Sequence, residues 1–200
     1  MALDIITIEN QENVAVLNTV ANKVEFPLNQ HDKDLIKSMK SKLLELGGVG
    51  LAAPQVNQPR QIIAVYIPEE AVLLRDNAEI YPMHIMINPF YEPVADTSAH
   101  YDFEACYSVS SKAGKVPRFQ SIRVSYFDES GSFHQQIENG FYARVLQHEI
   151  DHINGVLIID RLTADCIQGP MDDMLALQRS ELSEEKGALF DEIMARKLKT

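Results

Sequence analysis

The sequence predicts one globular unit, residues 1–200, that mixes helices with short strands. Three features carry this expectation: a helical apolar stripe after Asp32, an alternating strand pair around residue 128, and a second helix that holds a metal-site pattern at residues 148–152. A chain of 200 residues with 46% hydrophobic content can bury a core without disulfides or a structural metal.

Asp32 can cap a helix whose Leu35, Ile36, Met39, Leu43 and Leu44 fall on one stripe and which stops at Gly47-Gly48. The segment Gly48-Val-Gly-Leu-Ala-Ala-Pro-Gln55 is too glycine-rich for helix and leads into a strand at Gln61–Tyr66. Residues 68–82 read as a charged loop or insertion. His84–Asn88 reads as a short strand whose extension Pro89 and Pro93 limit. Ser121–Phe127 alternates apolar and polar residues, and Asp128–Gly131 turns the chain into Phe133–Ile137, which makes a hairpin. A helix follows from about Phe141, and Val156–Ile159 suits a short strand. From Pro170 to the end, Met171, Met174, Leu175, Leu189, Ile193, Met194 and Leu198 recur at helical spacing. Asp172 and Asp173 come early in this helix and Arg196, Lys197 and Lys199 late, an order that complements the helix dipole. Gly187 is a point where it can bend or split. No internal repeat or linker divides the chain.

The formal net charge of −11 excludes the broad basic surface that direct nucleic-acid binding needs, and favours a small or peptide substrate. The first 22 residues hold no Lys or Arg and no sustained apolar run, so no secretory or transit signal is expected, and no stretch is long and apolar enough to span a membrane. With only Cys106 and Cys166, a disulfide framework is implausible; the expected setting is the cytoplasm.

His148, Glu149 and His152 form H-E-x-x-H. Residues four apart on a helix stand one above the other, so the two imidazoles can share one ion, while Glu149 lies about 100° round, beside a bound water. By composition the pattern is expected about 0.014 times by chance. A solvated face with two surface histidines is the bland alternative. Phe141 and Val145, two turns and one turn earlier on the same face, argue for burial, and Gly155 follows the helix as a C-cap would. Catalytic sites usually take three protein ligands and leave one position for water. Glu104-Ala-Cys106-Tyr-Ser108 offers a thiolate, although a lone cysteine is more often a small buried apolar side chain, the reading kept for Cys166.

Three segments, Gly48–Gln55, Glu104–Ser108 and Gln147–His152, resemble the three signature motifs of the peptide deformylases in the family's order. The similarity extends through Val116-Pro-Arg118 and Gly155–Asp160, covering about residues 25–165. The resemblance implies an α+β fold, with small antiparallel sheets around a central metal-binding helix and an additional C-terminal helix. It implies a hydrolase that removes the formyl group from the N-terminal formylmethionine of new polypeptides with one divalent ion, often Fe²⁺ and sometimes Zn²⁺ or Ni²⁺. Cys106, His148 and His152 would bind the metal, and Glu149 would be the general base and acid. Gln55 and the backbone N–H of Tyr107 would stabilise the oxyanion, and Gly50 would let the backbone approach the substrate. Glu104 would orient the site from behind the ligands. The partners implied are N-formylmethionyl peptides and, through the C-terminal helix, the ribosome.

The family's middle motif usually reads Glu-Gly-Cys-Leu-Ser, and this chain has Ala105 and Tyr107 instead. If the glycine position needs a positive φ, Ala105 carries strain of about 1–2 kcal/mol. Tyr107 puts a phenol at what should be the substrate's edge. A metallopeptidase is the nearest rival, with His or Glu as its usual third ligand. A deformylase-like peptide-binding module or a structural ion is another; the latter needs a fourth ligand, and the sequence offers no obvious one near these three, with Cys166 and His134 as outside choices. His31, His84, His100 and His134 read as surface or structural residues.

Overall fold

Residues 3–10, 14–75, 78–95 and 98–197 are described by a computed structural model of the chain. Its strands are β1 (Gly50–Ala52), β2 (Ile62–Ile67), β3 (Tyr81–Pro93), β4 (Ala99–Cys106), β5 (Val109–Phe119), β6 (Ser121–Phe127), β7 (Phe133–Asn139) and β8 (Gln168–Pro170). Its helices are α1 (Val14–Leu17), α2 (Gln30–Leu46), α3 (Glu69–Leu73), α4 (Gly140–Ile153), α5 (Ile158–Arg161), α6 (Met171–Glu181) and α7 (Glu184–Lys197), with a 3₁₀ turn at Ala53–Val56. The fold is α+β. Two antiparallel sheets, ordered β1-β2-β3-β6-β7 and β4-β5-β8, flank α4.

Side-chain alternation along β2 explains the layering. Ile63, Val65 and Ile67 point to one face and pack with Tyr142, Ala143, Leu146, Ile150 and Ile153 of α4. Ile62 and Ala64 point to the other and meet Leu35, Ile36, Met39 and Leu43 of α2. Being covered on both faces, β2 is an almost continuous apolar run. A third cluster joins Cys106, Val109 and Val116 to Leu157, Ile158, Leu162 and Cys166.

Several expectations need correction. The cap of α2 is Asn29, whose Oδ1 accepts from Asp32 N at 2.9 Å; Asp32 is drawn instead into a two-pronged pair with Arg60, at 2.9 and 2.7 Å. Leu44 leaves the buried stripe and is 58% exposed. The strand at 84–88 runs from Tyr81 to Pro93, because a register shift between Ile87 and Phe90, with Asn88 at φ 51°, takes Pro89 out of the ladder. Part of the expected loop at 68–82 is helix α3. The expected strand at 156–159 is the one-turn helix α5. The C-terminal helix is two helices broken at Leu182-Ser183, and Gly187 lies inside α7; Leu198 and Lys199 lie outside the described residues.

Gly155 ends α4 as expected, at φ 72° and with its N–H bonded to His152 O at 3.2 Å. A Cβ there would stand 2.8 Å from the backbone of Asn18 and Thr19, so Gly155→Ala meets both an unfavourable φ and a backbone clash. Urea unfolding of this variant should show a loss of at least about 1–2 kcal/mol, the cost of the left-handed conformation alone.

Candidate active site

The H-E-x-x-H residues lie in the second half of α4, where the helix is wedged between the sheets. Cys106 ends β4 and turns its sulfur toward them: Sγ is 3.3 Å from His152 Nε2, which is 3.3 Å from His148 Nε2. Among the described residues, Cys106, His148 and His152 are the group able to hold a metal ion, with ligand atoms within 4.8 Å of one another. Tetrahedral bonds of about 2.0–2.3 Å place neighbouring ligand atoms about 3.3–3.7 Å apart, so the donors have the spacing and chemistry of a Cys–His₂ site. His134 bonds Asp128 and Cys166 packs by Thr163; neither joins the cluster. His31 faces Gln58, His84 faces Tyr142, and His100 lies beside Arg144, all away from the cluster.

Behind the ligands sits a buried charge network. Glu104 Oε2 accepts from His148 Nδ1 at 2.9 Å, which leaves Nε2 with its lone pair toward the cluster. Arg118 grips the same carboxylate through Nε at 3.0 Å and Nη2 at 2.9 Å, and Arg144 Nη1 adds a bond at 2.8 Å. Arg118 also reaches Asp151, which is held in turn by Arg161. Burial works against the charge on Glu104, but Arg118 and His148 outweigh it and hold its carboxyl well below the usual range. Arg144, Arg118 and Asp151 were not singled out from the sequence. A signal was available: Arg144 and Asp151 stand four before and three after His148, on the same helix face.

Glu149 sits apart from this network. Its carboxyl is 4% exposed by residue, Oε2 has no hydrogen-bond partner, and burial pushes its pKa up to about 7. A buried, unpartnered carboxylate on the helical turn that carries both imidazoles has the chemistry a general base near a bound cation requires. Burial also pushes His152 well below its ordinary value, with help from His148, whereas bonds to Cys106 and Glu104 overcome burial and raise His148.

The first motif closes the other side. Gln55, in the 3₁₀ turn, is 1% exposed; its Oε1 accepts from Ala52 N at 2.9 Å, and this fixes Nε2 toward Cys106 Sγ at 3.7 Å. Gly50 opens β1, and a Cβ there would lie 2.6 Å from Glu149 Cδ, so only glycine lets this strand pass so near the carboxylate. Ala105 carries no left-handed strain, since Asn57 and Asn88 are the described non-glycine residues with positive φ, and its side chain is exposed. Tyr107 directs its phenol to the end of α2, donating to Leu46 O at 3.0 Å.

A family model described as polypeptide deformylase matches residues 2–167. Peptide deformylase 2 of Rickettsia conorii is 33% identical over 189 residues, covering 92% of each chain. A ligand-bound class I type b peptide deformylase from Acinetobacter baumannii superposes with a TM-score of 0.69 at 29% identity, covering 81% of this chain and 100% of the other. A structure from that organism with Met-Ala-Ser bound gives 0.68 at 28% identity, covering 81% and 99%. With these matches added to the three motifs and the site they build, the chain belongs to the polypeptide deformylase family.

Proposed function

We propose that this chain, acting as one unit over residues 1–200, hydrolyses the N-formyl group of N-terminal formylmethionine in the cytoplasm and releases formate and a free amine. The observation that carries the reading is the cluster of one thiol and two imidazoles, with the Gln55 amide 3.7 Å from Cys106 Sγ and the buried, unpartnered carboxylate of Glu149 next in sequence to His148. The Met-Ala-Ser bound to the Acinetobacter relative supports a peptide with an N-terminal methionine as substrate.

Cys106, His148 and His152 are the ligands, and Fe²⁺ is the proposed native ion, with Zn²⁺ or Ni²⁺ as substitutes. A divalent ion there supplies a Lewis acid and an activated water near neutral pH. Glu149 Oε2 takes the proton released as water adds to the formyl carbon, then returns it to the departing amino nitrogen, so one group serves as base and acid. Gln55 Nε2 and the Tyr107 backbone N–H face the oxygen that gains charge as the formyl carbon becomes tetrahedral. Gly50 keeps the wall opposite Glu149 thin. Glu104 fixes the tautomer and ring plane of His148. The outward helices α6 and α7, of which α6 buries no residue, are the proposed ribosome-docking elements.

Anaerobically prepared enzyme should deformylate formyl-Met peptides and hold one divalent ion per chain, measured by elemental analysis. Glu149→Ala should keep the ion and lose about 10²–10⁴-fold in kcat; retained activity would point to a peptide-binding role or another base. Cys106→Ala should lose the ion, whereas a metallopeptidase relying on a different third ligand would retain it. Gln55→Ala should lower kcat by about 10²–10³-fold with little change in metal content. Glu104→Ala leaves Arg118 and Arg144 buried without their shared partner, and chemical denaturation should show a loss of about 3–5 kcal/mol.

A further inference from the structure

The Tyr107 side chain, which replaces the family's usual leucine, is engaged with the segment that passes over the site. Leu46 is the last residue of α2, and its carbonyl is among those that a helix end leaves without an intrahelical partner; Tyr107 Oη donates to it at 3.0 Å. The ring lies where a side chain on Gly48 would be, since a Cβ there would stand 2.7 Å from Oη and 2.9 Å from Cε2. Two residues on, Gly50 is packed equally closely, but against Glu149. The segment 46–50 is thus held on one side by a phenol from the residue after Cys106, and on the other it forms the wall against which the Glu149 carboxylate rests.

We propose that Tyr107 is a positioning residue: its phenol braces segment 46–50, and through Gly50 this fixes where the Glu149 carboxylate sits. The inference rests on Glu149 being the base. Glu149 Oε2 makes no hydrogen bond, and a Cβ on Gly50 would stand 2.2 Å from Oε1 and 2.6 Å from Cδ, so the packed wall at Gly50 limits where the carboxylate can sit. Loosening the wall leaves the three ligands untouched and degrades the alignment of the base, a defect felt in the transition state more than in substrate binding. Gly48 and Tyr107 act as a matched pair, the absent side chain of one making room for the ring of the other.

The test measures kcat, KM, metal content and thermal stability for Tyr107→Phe, Tyr107→Leu, Gly48→Ala and the Gly48→Ala/Tyr107→Leu double variant of the metal-loaded enzyme. Tyr107→Phe should lose about 2- to 10-fold in kcat, the size of one net hydrogen bond, with KM and metal content at wild-type levels. Gly48→Ala should lose more, and Tyr107→Leu should rescue it, bringing the double variant to the level of Tyr107→Leu alone. If Gly48→Ala does not fold, recovery of a folded, active double variant is the same positive result. Wild-type kcat in Tyr107→Phe, a change confined to KM, or a double variant no better than Gly48→Ala would overturn the proposal. Retained activity in Glu149→Gln is instead the failure of the base assignment; independent Gly48 and Tyr107 effects in an enzyme that still needs Glu149 are the failure of the brace.

Discussion

The clamp on Glu104 is the constraint on which the rest of the site depends. One buried carboxylate receives His148 from α4, Arg118 from β5 and Arg144 from α4, and so joins the strand that carries Cys106 to the helix that carries both imidazoles. Buried charges are costly unless each is met by partners of good geometry, and here the pairing continues through Arg118 to Asp151 and Arg161. Such a network tolerates few alternative arrangements, because removing any member strands another in a medium that cannot solvate it.

The two faces of α4 explain why ions hold one sheet and apolar contacts the other. Tyr142, Ala143, Leu146, Ile150 and Ile153 pack on the five-stranded sheet. Arg144, His148, Asp151 and His152 follow one another at intervals of four, three and one on the opposite side, toward β4 and β5. Gln147 adds a paired contact to that side, donating to Phe119 O and accepting from Phe119 N, both at 2.9 Å. The first face supplies stability without directional demands. The second uses directional bonds to orient its side chains, so the helix can be firmly packed and still present two imidazoles to one point.

Much of this was legible in the sequence, for identifiable reasons. The stripe of α2, Leu44 apart, shows a period of 3.6 and Ser121–Phe127 alternates before a turn, and the three motifs hold the residues of the Cys–His₂ cluster. The failures lie where tertiary contacts override local preference. Asp32 and Asn29 are both good caps, and only the distant Arg60 decides between them. Pro89 stops a regular strand but not one bulged at Asn88, whose side chain is tied to the backbone of Val24 at 2.8 and 2.9 Å. Of the long β4–β5 hairpin only the strand around Val116-Pro-Arg118 was legible, because inward positions that usually show apolar residues carry Glu104 and Arg118, whose burial makes sense only once their mutual pairing is known. At 156–159 a short apolar run fits a buried strand or a buried helical turn equally well, and Asp160 Oδ2, accepting from Leu157 N at 2.8 Å, selects the turn.

The same alternation explains how the middle motif accommodates its two substitutions. Glu104 and Cys106, two apart at the end of β4, direct their side chains to the site, and Ala105 between them faces outward. A register shift lies between Glu104 and Cys106, yet the backbone at Ala105 stays outside the left-handed region, so a methyl group is accepted where the family usually has glycine. At Tyr107 the backbone N–H is independent of the side chain, and the phenol finds a carbonyl at the end of α2 instead of entering the ligand cluster. The ligand set is therefore insulated from both changes by strand geometry. What the Tyr107 substitution can reach is the segment over Gly48 and Gly50, and through it the Glu149 carboxylate packed against Gly50.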